Sequence, residues 1–97
     1  MLEQLSAADF ETLPDRRLAV AFGNADTLLE IKEIRHLRAS ESRPAPPFAL
    51  LLRDSGAKIS VPQGTYVYRH PIHGPLELFT VPIGPDGNGM CYEIIFN

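Results

Sequence analysis

The sequence predicts an all-β protein, a compact six- to seven-stranded and mostly antiparallel barrel or sandwich with a short N-terminal helix. Three observations predict this class. Apolar and β-branched residues alternate with polar ones in several short runs. Turn residues such as glycine, proline, asparagine and aspartate separate these runs at roughly every 8 to 15 positions. At the N-terminus, a helix start signal is followed closely by a proline stop signal.

The chain has 97 residues, of which 44% are hydrophobic and 22% are charged. This length predicts a single domain over residues 1–97, because a chain of this size supports one packed core. Since a barrel of about eight strands has an interior that side chains just fill, a six-stranded barrel should be solid with Phe, Leu, Ile and Tyr. Any ligand would then bind outside the barrel, and binding is favoured over catalysis.

The N-terminal helix is predicted at about residues 6–13. Ser6 is a good N-cap, Asp9 follows at the capping-box position, and Phe10 can complete a hydrophobic staple. Pro14 ends the helix, because the residue before a proline is pushed out of helical geometry. About two turns are too short to be stable alone. We therefore expect this helix to dock on the barrel as a lid or plug.

Segment 27–38 allows two interpretations. Thr27 and Glu30 have capping-box spacing, and apolar residues recur every three positions, which is typical of a helix. The alternative is a strand in which Ile31 points inward and a bulge falls near Lys32–Glu33. The hairpin turn that precedes the segment favours the strand.

The other strands follow from alternation between turn signals. The run that starts at Phe48 is apolar on both faces, which predicts a central strand covered on both sides. Residues 39–47 hold three prolines and predict a stiff connector. Residues 85–89 are the strongest turn signal in the chain. The predicted strands outside 27–38 are about residues 16–23, 47–54, 58–61, 65–70, 75–82 and 90–96.

Charge is unevenly distributed, although the net charge is only −3. Residues 31–58 carry six Lys and Arg but three Asp and Glu, so the middle of the chain is locally basic. The residues that could form a phosphate-facing patch are Arg35, His36, Arg38, Arg43, Arg53 and Lys58. Because acidic residues are interleaved with these cations, we expect a solvated surface and no nucleic-acid partner.

The single cysteine, Cys91, excludes an internal disulfide and makes the reducing cytoplasm the expected location. It lies in a predicted strand, where a small buried apolar side chain is favoured over a nucleophile or a metal ligand. No run approaches the length of about 18 apolar residues that a membrane-spanning helix needs, so we expect no membrane partner. The acidic N-terminus also lacks the pattern of a signal peptide.

His70 and His73 share a turn and have the one metal-like spacing in the sequence. A metal would need further ligands, and their placement would depend on the tertiary structure. The candidates for these further ligands are His36, Cys91, Glu77 and Glu93. We favour an interpretation in which the two histidines flank a surface turn shaped by Pro71, and we predict no metal site.

Asp86 and Asn88 lie in a glycine-rich loop and could offer oxygen ligands to calcium. The spacing of an EF-hand loop would place its last carboxylate at Asn97, which has none. No serine has a G-x-S-x-G context, and the glycines do not precede a helix as they do in a phosphate-binding loop. The sequence therefore predicts no catalytic residue and no cofactor.

Several motifs are shared in order with a known family. They are Phe48-Ala-Leu-Leu-Leu, Val61-Pro-Gln-Gly-Thr-Tyr, His70-Pro, Gly74-Pro-Leu-Glu-Leu-Phe-Thr-Val-Pro-Ile-Gly and Tyr92-Glu-Ile-Ile-Phe-Asn. With these motifs and its N-terminal opening, the chain resembles an uncharacterised bacterial family of small all-β domains of unknown function. The most specific parts are Pro-Gln-Gly-x-Tyr and Leu-Phe-x-Val-Pro-x-Gly.

The resemblance carries three expectations. It implies a strand over residues 27–38, where relatives show an alternating pattern. It implies no enzyme, and an accessory role beside phage-related, tail-collar-like proteins. His73 stands where the family is expected to have an apolar residue, which weakens the metal interpretation further.

Two functional hypotheses remain. The leading one is a non-enzymatic structural or protein-interaction domain, an accessory to a phage-tail-like assembly, which binds another protein or itself through a strand edge such as Arg17 to Phe22. The alternative is a domain that binds a small ligand or a metal, or a minor enzyme. It would use the loops around His36, His70, His73 and Asp86, and it requires these loops to meet around a concave site.

Overall fold

The computed structural model describes residues 2–38 and 45–97, and these form a closed six-stranded antiparallel barrel in the order β1-β2-β3-β6-β5-β4. The predicted all-β class is confirmed, and the sheet closes as a barrel. Residues 39–44, most of the predicted 39–47 connector, lie outside the described residues. The strands are β1 Arg17–Phe22, β2 Ala25–His36, β3 Phe48–Ser55, β4 Gly64–His70, β5 Gly74–Pro85 and β6 Gly89–Phe96.

The ambiguous segment 27–38 forms a strand, as predicted, and belongs to β2, which ends at His36, two residues before the predicted end. Its pairing with β3 shifts register between Ile31 and Glu33, which is the predicted bulge. Leu29 and Ile31 are buried before the bulge, and Ile34 packs against the core after it. The extra residue thus lets a run with helix-like spacing keep its apolar side chains directed inward.

Inward-facing residues of all six strands fill the barrel. One polar pair lies among them: the hydroxyl oxygens of Tyr68 and Thr80 are 2.7 Å apart, and Thr80 also donates to the carbonyl of Leu78. Burial raises the pKa of Tyr68 to about 12. The strand residues of the apolar core cluster are Leu18, Val20, Phe22, Leu29, Ile31, Phe48, Leu50, Leu52, Tyr68, Leu76, Leu78, Tyr92, Ile94 and Phe96.

The N-terminal segment closes one end of the barrel. Helix α1 spans Ala8–Glu11, and its Phe10 ring lies 5.9 Å from the ring of Phe48 and 5.4 Å from that of Phe96. The helix is shorter than the predicted 6–13, because Leu13 before the proline has an extended backbone with ψ of 138°. One turn of helix is held by its packing, as expected of a plug.

The loop between β3 and β4 covers the opposite end, and the predicted strand at 58–61 is wrong. Its apolar residues do not share a face, since Ile59 is 84% exposed while Val61 packs on the core. The Val61 N–H donates to the Tyr92 hydroxyl at 3.0 Å instead of to a neighbouring strand. Six strands already close the barrel, so this segment has no edge on which to pair.

The predicted free edge at Arg17 to Phe22 is also wrong. Strand β1 pairs with β2 along its whole length and with β4 through Ala19, Val20 and Ala21. Closure of the sheet thus covers the middle of this edge. Self-association by strand addition at β1 would require the barrel to open.

Candidate functional site

A groove lies in the barrel wall where β5 and β6 separate. Among the described residues, their pairing extends from Val81↔Glu93 to Pro85↔Met90. Beyond this stretch, β5 pairs with β4 and the end of β6 pairs with β3. The two strands therefore diverge from each other there. The residues that line the resulting groove of about 320 Å³ are Leu2, Leu78, Phe79, Ile94, Ile95, Phe96 and Asn97.

The groove has a buried apolar floor and exposed apolar rims. Leu78, Ile94 and Phe96 form the floor and belong to the core. The rims are Phe79 on β5 and Ile95 on β6, and their exposed fractions are 53% and 51%. Large apolar side chains with this exposure, grouped around a concavity, are typical of a surface that another molecule covers.

The outer face of β5 extends this apolar surface. Alternation directs Leu78 and Thr80 into the barrel and directs Phe79 and Val81 outward. Ile83 continues the outward row at a register shift and is 51% exposed. Strand β5 is therefore apolar on both faces in the part that borders the groove, although the barrel leaves its outer face to solvent.

Two carboxylates flank the apolar row. Glu77 precedes Phe79 by two residues on the outer face of β5, and Glu93 lies opposite Val81 on β6. Glu77 is exposed and Glu93 is half-buried. Within residues 2–38 and 45–97, neither carboxylate forms an ion pair or a side-chain hydrogen bond. The groove region therefore combines an apolar surface with uncompensated negative charge.

His70, which the sequence offers only as a disfavoured candidate for a metal ligand, has a structural role. It is buried, and its Nε2 lies 2.6 Å from the carbonyl oxygen of Asp9. Its Nδ1 accepts hydrogen bonds from the backbone N–H groups of Ile72 and His73 at 3.1 and 3.3 Å. These partners require a neutral ring that carries its proton on Nε2. Both ring nitrogens are therefore engaged within the protein.

His73, in the β4–β5 turn, also contacts Asp9 of α1. Its Nε2 lies 3.0 Å from Oδ1 of Asp9, and the Ser6 N–H donates to Oδ2 at 2.8 Å. Burial raises the pKa of Asp9, but the hydrogen bonds from His73 and Ser6 outweigh it and lower the pKa below its usual value. No cluster of three or more His, Cys, Asp and Glu in the described part of the chain is arranged to hold a metal.

Asp86 binds the β5–β6 turn to the barrel wall at the other end. Its Oδ2 lies 2.8 Å from Arg53 and 2.9 Å from Lys32, and its Oδ1 accepts from the Asn88 N–H. These contacts hold the pKa of Asp86 well below its usual range, and the hydrogen bond from Lys32 has the largest effect. The Lys32 Nζ also lies 3.8 Å from the Cys91 sulfur, whose pKa is raised by burial.

The loops of the alternative hypothesis do not all meet, because the turn that holds Asp86 lies at the opposite rim from His36, His70 and His73; the predicted cleft is therefore wrong. His36 ends β2 and His70 ends β4 at the rim that the N-terminal segment closes. The turn that holds Asp86 joins β5 to β6 at the opposite rim. Antiparallel strands place alternate connections at opposite ends of a barrel, which separates these loops by the length of the strands.

The locally basic middle of the chain is largely compensated by acids. Arg53 contacts Glu30 and Asp86, and Arg35 contacts Glu33. Arg43 lies outside the described residues.

At the Asp86 end, turn residues line a second open groove of about 400 Å³. Its lining residues are Gly56, Ala57, Lys58, Pro85, Gly87, Asn88, Gly89 and Met90.

Sequence reasoning missed the groove between β5 and β6. One signal was present: Leu76-Glu-Leu-Phe-Thr-Val-Pro-Ile carries apolar residues in both phases of a strand. In an open sheet, such a run predicts burial on both faces. In this protein, the outward-facing side chains of the run stay exposed because the barrel closes. The run itself does not carry this information.

Comparison with known proteins identifies the family. The chain matches the model of DUF6916, a domain of unknown function, over residues 5–96 and belongs to this family. The resemblance to an uncharacterised domain family is thereby confirmed. The chain matches no curated protein and no solved structure. Within the described residues, none of the helices has the length and apolar character to cross a membrane.

Proposed function

We propose that this member of the DUF6916 family is a non-enzymatic protein-interaction domain that binds another protein at the groove between β5 and β6. The observation that carries the proposal is the apolar surface at this groove. Phe79, Ile83 and Ile95 are each about half exposed and lie on adjacent strands. Fully burying an exposed large apolar side chain contributes roughly 1.5 to 3 kcal/mol, so covering each of these half-exposed residues contributes about half of that toward binding a partner.

Two further features support a binding role. His70 and Asp86, whose side chains each make several polar contacts, hold a turn or the N-terminal segment in place. The interior is occupied by packed side chains, so a partner would bind on the barrel wall. The form of this function that we propose to test first is an accessory component of a phage-tail-like assembly. We also propose a cytoplasmic location, which the free Cys91 supports, because free thiols are typical of reducing compartments.

The experiment measures binding between the full chain and the purified products of its neighbouring genes by biolayer interferometry. We expect one product to bind, and Phe79→Lys to weaken that binding by about tenfold or more, since a charge would replace a buried aromatic anchor. The matched control is Leu28→Lys, because Leu28 has the same exposed fraction of 53% but lies on β2.

Two outcomes would contradict the proposal, and a third calls for a second variant. Binding of none of the neighbouring products would overturn the accessory role. Equal weakening by Phe79→Lys and Leu28→Lys would place the binding surface elsewhere. Loss of the folded state in Phe79→Lys, seen as a lower melting temperature, would require Phe79→Ser, which should weaken binding in the folded protein if the groove is the site.

A further inference from the structure

We propose that the groove between β5 and β6 takes an extended segment of a different protein, in which apolar side chains alternate with lysine or arginine residues. This inference rests on the proposed function and names the chemistry of the partner. Its basis is the juxtaposition of the apolar rims Phe79 and Ile95 with the uncompensated carboxylates of Glu77 and Glu93.

The shape of the groove favours an extended occupant. The groove opens beyond the Val81↔Glu93 pair, where, within the described part of the chain, β5 pairs only with β4 and β6 pairs only with β3. The groove is lined by Leu78 and Phe79 of β5 and by the consecutive residues 94–97 at the end of β6, so an extended segment can fit it by running alongside β6. Apolar side chains of such a segment, placed at every second position, would contact the floor formed by Leu78 and Ile94.

The charges favour a basic occupant. A partner that covers Phe79 and Val81 also approaches Glu77, two residues before Phe79, and Glu93, opposite Val81. A carboxylate that loses water without gaining a counter-charge is strongly unfavourable. The nearby cation Arg69 already contacts Asp26, since the Nη2 atom of Arg69 lies 3.7 Å from the Oδ1 atom of Asp26. Lysine or arginine residues of the partner would supply the missing positive charge and steer its approach.

The same charges argue against a second copy of this chain as the occupant. Pairing this face with itself would bring Glu77 and Glu93 of one copy toward the same residues of the other. Juxtaposed like charges at an interface cost several kcal/mol. Since the chain also carries a net charge of −3, a basic segment of a different protein is the better complement.

The test uses three synthetic ten-residue peptides with the full-length protein, measured by fluorescence anisotropy in low and high salt. One peptide alternates lysine with valine, the second glutamate with valine, and the third lysine with serine. We expect the lysine–valine peptide to bind at least about tenfold more tightly than either of the others. Its affinity should fall as salt is raised.

Variants of the protein assign this preference to the groove. The double variant Glu77→Lys and Glu93→Lys should reverse the preference between the lysine–valine and glutamate–valine peptides. The matched control is Glu11→Lys, an exposed carboxylate on α1, which should leave the preference unchanged. Phe79→Lys should abolish binding of the lysine–valine peptide, whereas Leu28→Lys should not.

The outcomes separate this inference from the proposed function. If the glutamate–valine peptide binds as well as the lysine–valine peptide, and both need Phe79, then the groove binds apolar segments and the basic partner is wrong. The same conclusion follows if the double charge variant keeps the original preference. If no peptide binds, the inference is overturned, and the proposed function is decided independently by the neighbouring gene products. A dimer in light scattering that Phe79→Lys dissociates would make a second copy the occupant.

Discussion

Asp9 and His73 are 64 positions apart in the chain, and the Nε2 atom of His73 lies 3.0 Å from the Oδ1 atom of Asp9. The same aspartate accepts from the Ser6 N–H through Oδ2, and its backbone carbonyl contacts His70. One residue of α1 thus joins the helix start to the turn between β4 and β5. The plug on this end of the barrel is held by polar contacts as well as by Phe10.

Removal of the Asp9 carboxylate should loosen the N-terminal plug. We expect Asp9→Ala to lower the free energy of unfolding by about 1–2 kcal/mol at pH 7, because it leaves the Ser6 N–H and the His73 ring without this acceptor. Urea denaturation measures the change. The matched control Glu11→Ala, in the same helical turn but exposed, should change the free energy by less than about 0.5 kcal/mol.

The contribution of Asp9 should depend on pH with a defined sign. Because the folded protein lowers the pKa of this carboxyl from its ordinary value of 3.8, its stabilisation is full above that value. It is lost as the pH falls through the lower pKa of the folded state. The difference between the wild-type protein and Asp9→Ala should therefore shrink below pH 3.8. A difference that stays constant down to pH 2 would contradict this assignment.

Replacement of His70 should be more damaging than replacement of a surface histidine. His70→Ala removes a buried ring that packs edge-on against Phe10 and leaves the Asp9 carbonyl and two backbone N–H groups without their partner. We expect a loss of about 2–4 kcal/mol in the free energy of unfolding. His36→Ala, at an exposed position, serves as the control. Similar losses for both variants would show that His70 does not hold the turn.

Gly89 should be the glycine least tolerant of a side chain. A Cβ atom at this position would overlap the carbonyl oxygen of Asp54 on the neighbouring strand β3. We expect Gly89→Ala to destabilise the protein by about 3 kcal/mol or more, because two backbones would have to separate. In Gly64→Ala, the nearest atom is a Tyr66 ring carbon at 3.9 Å, an ordinary contact. Thermal melting of both variants tests the contrast, and equal melting temperatures would contradict it.

The Tyr68 hydroxyl should resist ionisation in the folded protein. Its folded pKa of about 12 exceeds the ordinary value of 10.0, since burial disfavours the phenolate. The unfolded chain therefore loses this proton first, and stability that is full below pH 10 declines as the pH rises toward 12. Absorbance titration near 295 nm should show a late phase that Tyr68→Phe removes. A late phase that survives in Tyr68→Phe would assign it to another tyrosine.

Much of the fold followed from local patterns. The bulge near Lys32–Glu33 could be predicted because Ile31 and Ile34 can both face inward only if an extra residue separates them in a strand. The segment at 58–61 was assigned wrongly because Ile59 and Val61 alternate as a strand would. Whether an edge remains for such a segment depends on how the other six strands close.

The candidate site shows the same boundary between local and long-range information. By itself, the sequence determined the strand class and the side chains that face inward, because alternation and turn chemistry act over a few residues. Only the tertiary structure decided that His70 meets Asp9, that Asp86 lies at the opposite rim, and that Phe79 borders an open groove. These relationships depend on barrel closure and on where β5 and β6 separate, and both are set by pairing between residues far apart in the chain.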